Sequence, residues 1–234
     1  NTRAHAIKLE NAKGEQEAFN KTKFCRSLKA AGAPNDVVDR VCGIVELKLR
    51  PGIKTAEIER LTHQYLKKED LKSAARYRLK SGIMELGPAG FLFEQYLEAI
   101  LKEYGYQTRR NQIVKGHCLS HEIDIVAKAK SAHFFVEAKY RNRRGEKVDV
   151  TVAMYLYARY LDIKQEKKRT ERESVEYRSW LITNTKFTTS VTRYAECMGM
   201  KITGWNYPKK KSLQMLIEDR GLYPVTVLSS ANRF

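Results

Sequence analysis

The chain has 234 residues, 42% of them hydrophobic, enough for one large or two modest packed domains and too many for a disordered polymer. Lys and Arg total 44 against 27 Asp and Glu, a formal charge of +17, which favours a polyanionic partner, with nucleic acid ahead of an anionic membrane surface. No apolar run approaches the ~18 residues of a membrane span and the opening N-T-R-A-H-A-I-K holds no signal-peptide core, so a cytoplasmic protein without membrane association is expected.

The first elements are short. Ala6 to Glu10 and Glu17 to Phe19 flank a turn at Ala12 to Gly14, a pattern that predicts a small hairpin. Asn20 is placed to cap a helix that Gly32 ends. Pro34, Asn35 and Asp36 open a second, which Pro51-Gly52 stops. Thr55 is read as the cap of a third, with Ile58, Leu61 and Tyr65 on one face, and a fourth runs from about Leu71 to Leu86. The punctuation Gly87-Pro88-Ala89-Gly90 then predicts a boundary, with domains at 1–87 and 88–234.

Beyond it the spacing predicts a helix over 91–104 and strands over 107–112, 122–127 and 133–138. An apolar helix over 148–161, a charged exposed stretch over 163–178, a strand over 180–183, a helix over 188–198 and a strand over 201–205 follow. That order is a mixed-sheet α/β domain. The four cysteines, Cys25, Cys42, Cys118 and Cys197, form no C-x-x-C pair, so no zinc ribbon is expected and buried free thiols are.

The chemistry concentrates between His121 and Lys139. Asp124 sits in I-D-I-V-A and Glu137 and Lys139 in F-F-V-E-A-K. Period-2 alternation puts Glu137 and Lys139 on one strand face, and a hairpin brings Asp124 beside Glu137. Two converging carboxylates suit a hard cation such as Mg²⁺ or Mn²⁺. Phosphodiester hydrolysis needs a positioned water and a counter-charge for the phosphate, and Lys139 supplies the nearby cation. On these residues alone a buried Asp–Lys–Glu ion-pair network is an equal reading. His121 and Glu122 are read either as contacts around the site or as a surface pair with no role. Arg141, Arg143, Arg144 and Lys147 follow directly and would place positive charge at the mouth of a DNA site.

Further motifs surround this core: G-F-L-F-E-Q-Y-L-E-A-I-L-K-E-Y-G-Y before it, L-I-T-N-T-K-F-T at Leu181 to Thr188 and Y-A-x-x-M-G-M at Tyr194 to Met200 after it. Together they resemble the PD-(D/E)xK nuclease superfamily, specifically its Mrr-like restriction endonuclease branch, over roughly residues 88–228. The resemblance implies a DNA endonuclease in which Asp124 and Glu137 hold the metal, Glu94 reaches toward it and Lys139 positions the attacking water. The implied products carry a 5′-phosphate and a 3′-hydroxyl. Ala138 between Glu137 and Lys139 departs from members that carry Gln or Cys in or beside this triplet.

The first segment carries I-K at Ile7-Lys8, G-E-Q-E-A-F-N-K-T-K from Gly14, A-A-G-A from Ala30, G-I-K-T-A-E-I from Gly52 and A-A-R-Y-R-L from Ala74. In this order they resemble the ATP-cone, a mainly helical regulatory domain with a small β-hairpin. The resemblance implies ATP or dATP as an allosteric ligand, with Lys8, Lys23, Thr55 and Arg76 at the nucleotide. No Walker motif is present, so hydrolysis by a P-loop mechanism is not expected. A homo-oligomeric, nucleotide-regulated nuclease, set in defence against foreign DNA, is the resulting expectation. A nucleotide-sensing DNA-binding regulator and a structure-specific repair nuclease or resolvase are its rivals.

Overall fold

A computed structural model describes residues 7–11, 14–87, 90–143, 145–170 and 175–227. The chain divides into two compact units, one running to Gly82 and taking in the described residues from Pro224 onward, the other Ile83–Tyr223.

In the first unit β1 (Lys8–Glu10) pairs antiparallel with β2 (Gln16–Ala18) and parallel with β3 (Ile53–Lys54). Four helices follow the predicted order: α1 (Lys21–Ala30), α2 (Asn35–Leu47), α3 (Thr55–Glu69) and α4 (Leu71–Met84). Asn20 caps α1 by accepting from the Lys23 amide, and Gly32, at φ +84, provides the left-handed residue beyond the helix end. Thr55 does not cap α3. The extended Lys54 stands at the N-cap without a side-chain bond, and Thr55 is already helical because β3 runs straight into the helix. Leu28, Val38, Val41, Val45 and Leu66 form the core.

The thiol expectation is also corrected. Packing of α1 against α2 brings Cys25 and Cys42 to a Cα separation of 5.9 Å, and they are joined as a disulfide. Cys118 and Cys197 are free but exposed. The unit division falls inside α4. Gly82 O accepts from Thr226 Oγ1 in the first unit, whereas the carbonyls of Ile83 and Met84 accept from Tyr140 Oη in the second.

The second unit is a mixed α/β fold. Helix α5 (Phe91–Glu103) leads into β4 (Gln107–Lys115), β5 (Ser120–Lys128) and β6 (Ala132–Lys139), an antiparallel meander. After β7 (Lys147–Val148) and α6 (Val150–Thr170), β8 (Glu176–Thr183) joins β6 in parallel. β9 (Lys186–Phe187) pairs with β7, α7 (Thr189–Cys197) follows, and β10 (Lys201–Thr203) lies parallel to β8. The main sheet runs β10-β8-β6-β5-β4.

Two elements differ from the sequence reading. Helix α6 continues to Thr170, where an exposed stretch was expected, because Ala153, Leu156, Tyr160 and Ile163 keep one buried face at helical spacing. A further helix, α8 (Leu213–Arg220), was not anticipated. It starts at the Ser212 cap and stops at Gly221, φ +65. No helix among the described residues is long and apolar enough to cross a membrane.

Candidate active site

The β5–β6 ladder runs from Lys128–His133 to Ile125–Val136. One step beyond, the strands carry Asp124 and Glu137. There the Asp124 carboxylate takes over the role of a ladder partner, its Oδ2 accepting from the Ala138 amide at 2.7 Å. Glu137 Oε2 accepts from Arg159 Nη1 of α6 at 2.8 Å. Asp124 Oδ1 and Glu137 Oε1 accept no hydrogen bond among the described residues. A cavity of about 260 Å³ opens over both carboxylates, lined also by His121, Glu122, Tyr155 and Arg159.

Each carboxyl is pushed above its ordinary pKa, first by burial. For Glu137 the next cause is the charge of Asp124, opposed by Arg159 and Lys139. For Asp124 the Ala138 amide, Arg159 and Lys139 pull the other way, while Glu122 adds to the rise. Glu94, in the first turn of α5, is raised by burial and then by Asp124, with Glu137 and Glu122 contributing and Arg110 opposing. The three predicted carboxylates therefore share one electrostatic site.

Lys139 acts on both Asp124 and Glu137 by charge. It opens onto a neighbouring depression with Tyr140, Arg141, Asn142 and Glu146. Arg141 is held through its backbone: its N–H donates to Asn184 Oδ1 at 2.8 Å and its carbonyl accepts from Asn184 Nδ2 at 2.7 Å. Its guanidinium lies 3.6 Å from Glu146. Arg143 and Lys147 are exposed, and Arg144 lies outside the described residues. In the first unit Lys8 and Lys23 are exposed, and Arg76 lies against Gly32. Among the described residues Lys23 donates its backbone N–H to Asn20 and the Lys8 carbonyl accepts from the Gly52 amide, so neither bond links Lys8, Lys23 and Thr55 to one another.

Three contributors from α6 were missed. Tyr155 and Arg159 occupy i and i+4, with the guanidinium 5.3 Å over the Tyr155 ring. Asp162, at the next position on this stripe, accepts from the Cys118 amide at 2.8 Å and meets His121 Nε2 at 2.7 Å. His121 first, then the Cys118 amide, hold Asp162 well below the usual carboxylate range. His121 thus fastens the β4–β5 turn to α6 at the rim of the carboxylate cavity. The available signal was the 4–3 spacing of Tyr155, Arg159 and Asp162 beside the apolar face.

The donor set suits a hard divalent cation. Two half-buried carboxylates repel each other, and each keeps an oxygen without a hydrogen bond, so a cation between them would relieve the repulsion. No group of three or more His, Cys, Asp or Glu forms a closed metal cage among the described residues. An ion here would therefore take its remaining ligands from water and substrate, as Mg²⁺ commonly does.

No protein-family profile matches the chain. It is 40% identical over 129 residues to an uncharacterized protein of Archaeoglobus fulgidus, a match spanning 55% of this chain and 69% of that one. A solved structure of a protein of unknown function, AF1548, is 36% identical with a TM-score of 0.53, over 60% of this chain and 72% of that one. Can2 from Sulfobacillus thermosulfidooxidans, solved with cyclic tetra-adenylate, is 12% identical with a TM-score of 0.38, over 88% and 64% of the two chains. That likeness is too distant to carry chemistry from one protein to the other.

Proposed function

The chain belongs to the family of the uncharacterized Archaeoglobus fulgidus protein, and from the chemistry of its site we propose that it is a metal-dependent endonuclease that hydrolyses DNA phosphodiester bonds. The observation that carries this reading is the convergence of Asp124 and Glu137 where the β5–β6 ladder ends, both raised by burial and both within reach of the Lys139 charge. The elements around them, a helix, an antiparallel meander, a helix and a parallel strand, follow the order expected from the residue spacing and are compatible with this reading.

In this reading Asp124 and Glu137 hold Mg²⁺ or Mn²⁺, and Glu94 supports them from α5. The ion supplies Lewis-acid polarisation of the scissile phosphate. Lys139 offsets the charge that builds on the phosphate and orients the attacking water. Arg141, Arg143, Arg144 and Lys147 contact flanking phosphates, which position a duplex without reading its sequence. The first unit binds ATP or dATP through Lys8, Lys23, Thr55 and Arg76, and nucleotide binding shifts the oligomeric state of the protein and hence cleavage. Defence against foreign DNA is the setting such a regulated nuclease suits.

A second reading, a nucleotide-sensing DNA-binding regulator that does not cut, draws on one observation: Arg159 occupies Glu137 Oε2. Incubating supercoiled plasmid and branched DNA with the protein and Mg²⁺, with and without ATP or dATP, separates the two. Nicked or linear product supports the nuclease. Intact DNA that nevertheless shifts on a gel supports the regulator.

A further inference from the structure

The second unit holds another cavity, of about 440 Å³, which shares no lining residue with the carboxylate cavity. It lies among α5, α8 and the β10 edge of the sheet, with Trp180, Tyr104 and Met215 in its walls and Lys201, Lys210 and Lys211 as its cations. Its size is that of a small-molecule site.

Lys201 is the unusual member. The parallel register of β8 and β10 sets it directly beside Trp180, and its Nζ stands 3.3 Å from that ring centroid and 4.7 Å from that of Phe134. It donates to Tyr106 Oη at 3.3 Å. No carboxylate pairs with it among the described residues. Burial, followed by the like charges of Lys211 and Arg178, lowers its pKa to about 8. Ring faces offset only part of the cost of desolvating an ammonium. The cavity therefore presents a counter-charge deficit, which Lys210 and Lys211 enlarge.

Other groups there are already engaged. Asp219 accepts from Tyr104 Oη at 3.0 Å. The first amides of α8 are taken: Leu213 donates to Gly204 O, Gln214 to Trp205 O and Met215 to Ser212 Oγ. An anion entering the cavity would meet the lysines and not the helix end, and its apolar part would meet Tyr104 and Met215, with the buried Trp180 lying beneath Lys201.

We propose that this cavity binds a single nucleotide, its phosphate on Lys201, Lys210 and Lys211 and its base against the aromatic wall. A free mononucleotide and a nucleotide of a DNA strand share this chemistry. The assignment is independent of the nuclease reading and of the first unit's nucleotide site.

Both tryptophans of the chain, Trp180 and Trp205, lie in the second unit, so intrinsic fluorescence of the full chain reports this unit. The titrants are dAMP, adenosine, inorganic phosphate and a short single-stranded oligonucleotide. Saturable fluorescence change with dAMP is expected, retained in Trp205→Phe, with phosphate and adenosine each at least ten-fold weaker. Response to the oligonucleotide without response to dAMP assigns the site to strand nucleotides and supports the same chemistry. Lys201→Met, which keeps the stem and removes the charge, should weaken binding at least ten-fold. The exposed pair Lys210→Ala with Lys211→Ala should weaken it several-fold without touching the fold. No saturable response from either dAMP or the oligonucleotide overturns the proposal. Phosphate binding as tightly as dAMP, or unchanged affinity in a folded Lys201→Met and in the Lys210/Lys211 double variant, overturns it equally.

Discussion

Arg159 Nη1 stands 2.8 Å from Glu137 Oε2, with side chains only 11% and 17% exposed. At that burial each charge depends on the other, and removing one leaves the second desolvated and unpaired. Arg159→Met should lose about 3 kcal/mol in urea unfolding at pH 7, where it leaves the Glu137 charge unpaired, and adding Glu137→Gln should recover much of it. Strictly additive losses in the double-mutant cycle would show that the two groups do not act as a pair.

Glu94, Asp124 and Glu137 are all raised, first by burial. The folded protein therefore holds protons where the unfolded chain has already released them. From these groups stability is greatest below the ordinary carboxylate pKa of about 4 and falls as pH rises through the raised folded values. Asp124→Asn keeps an oxygen for the Ala138 amide and removes one charge. It should raise Tm at pH 7, by about 2–4 °C per kcal/mol of relieved repulsion, and change it little at pH 4. Mn²⁺ should raise the Tm of the wild type at pH 7 and not that of Asp124→Asn. A metal-induced shift of equal size in the variant would place the cation elsewhere.

Gly116 is held against α6. A Cβ there would meet Asp162 Oδ2, and Leu119 O at 2.6 Å. Gly116→Ala should cost about 1–3 kcal/mol through overpacking, and Asp162→Ala should cost less, because the Cys118 and Leu119 amides that lose their acceptor are exposed and water replaces it. Gly43 in α2, with nothing within 4 Å, is the control, and Gly43→Ala should gain about 0.5–1 kcal/mol. Chemical denaturation of the three variants checks the ordering, which a neutral Gly116→Ala would break.

His63 of α3 is buried, and burial first, then Arg78 and Lys67, lower its pKa to about 4 while Glu59 opposes. Its neutral form is the folded one. The associated stability is therefore complete above about pH 6.5 and lost as pH falls from there toward 4. Far-UV melts at pH 7.5, 5.5 and 4.5 should show His63→Gln less sensitive to acid than the wild type. Parallel pH profiles would remove His63 as a source of acid lability.

Much of this was legible in the residues. Asn20 and Gly32 marked α1 correctly because capping and left-handed turns are local devices. The alternation around Glu137 and Lys139 gave β6 and its face for the same reason. What failed depended on tertiary partners. The charged half of α6 read as exposed, yet Ile163 and Glu166 are buried there, Glu166 being satisfied by Arg169 and Lys115. Cys25 and Cys42 are 17 residues apart, and only the packing of two helices brings them together. Arg159 escaped notice because its partner Glu137 belongs to another element, although its place beside an apolar helical face was visible.

The most direct test of the central claim is the rate at which supercoiled DNA is cut with Mg²⁺ by the wild type and by Asp124→Asn, both shown to be folded and to bind DNA. Losing charge stabilisation at the reacting phosphate is worth about 10²–10³ in rate, and losing the metal with it more. A fall of at least 10³-fold with DNA affinity retained is the predicted result. Cleavage by Asp124→Asn at the wild-type rate would contradict the account.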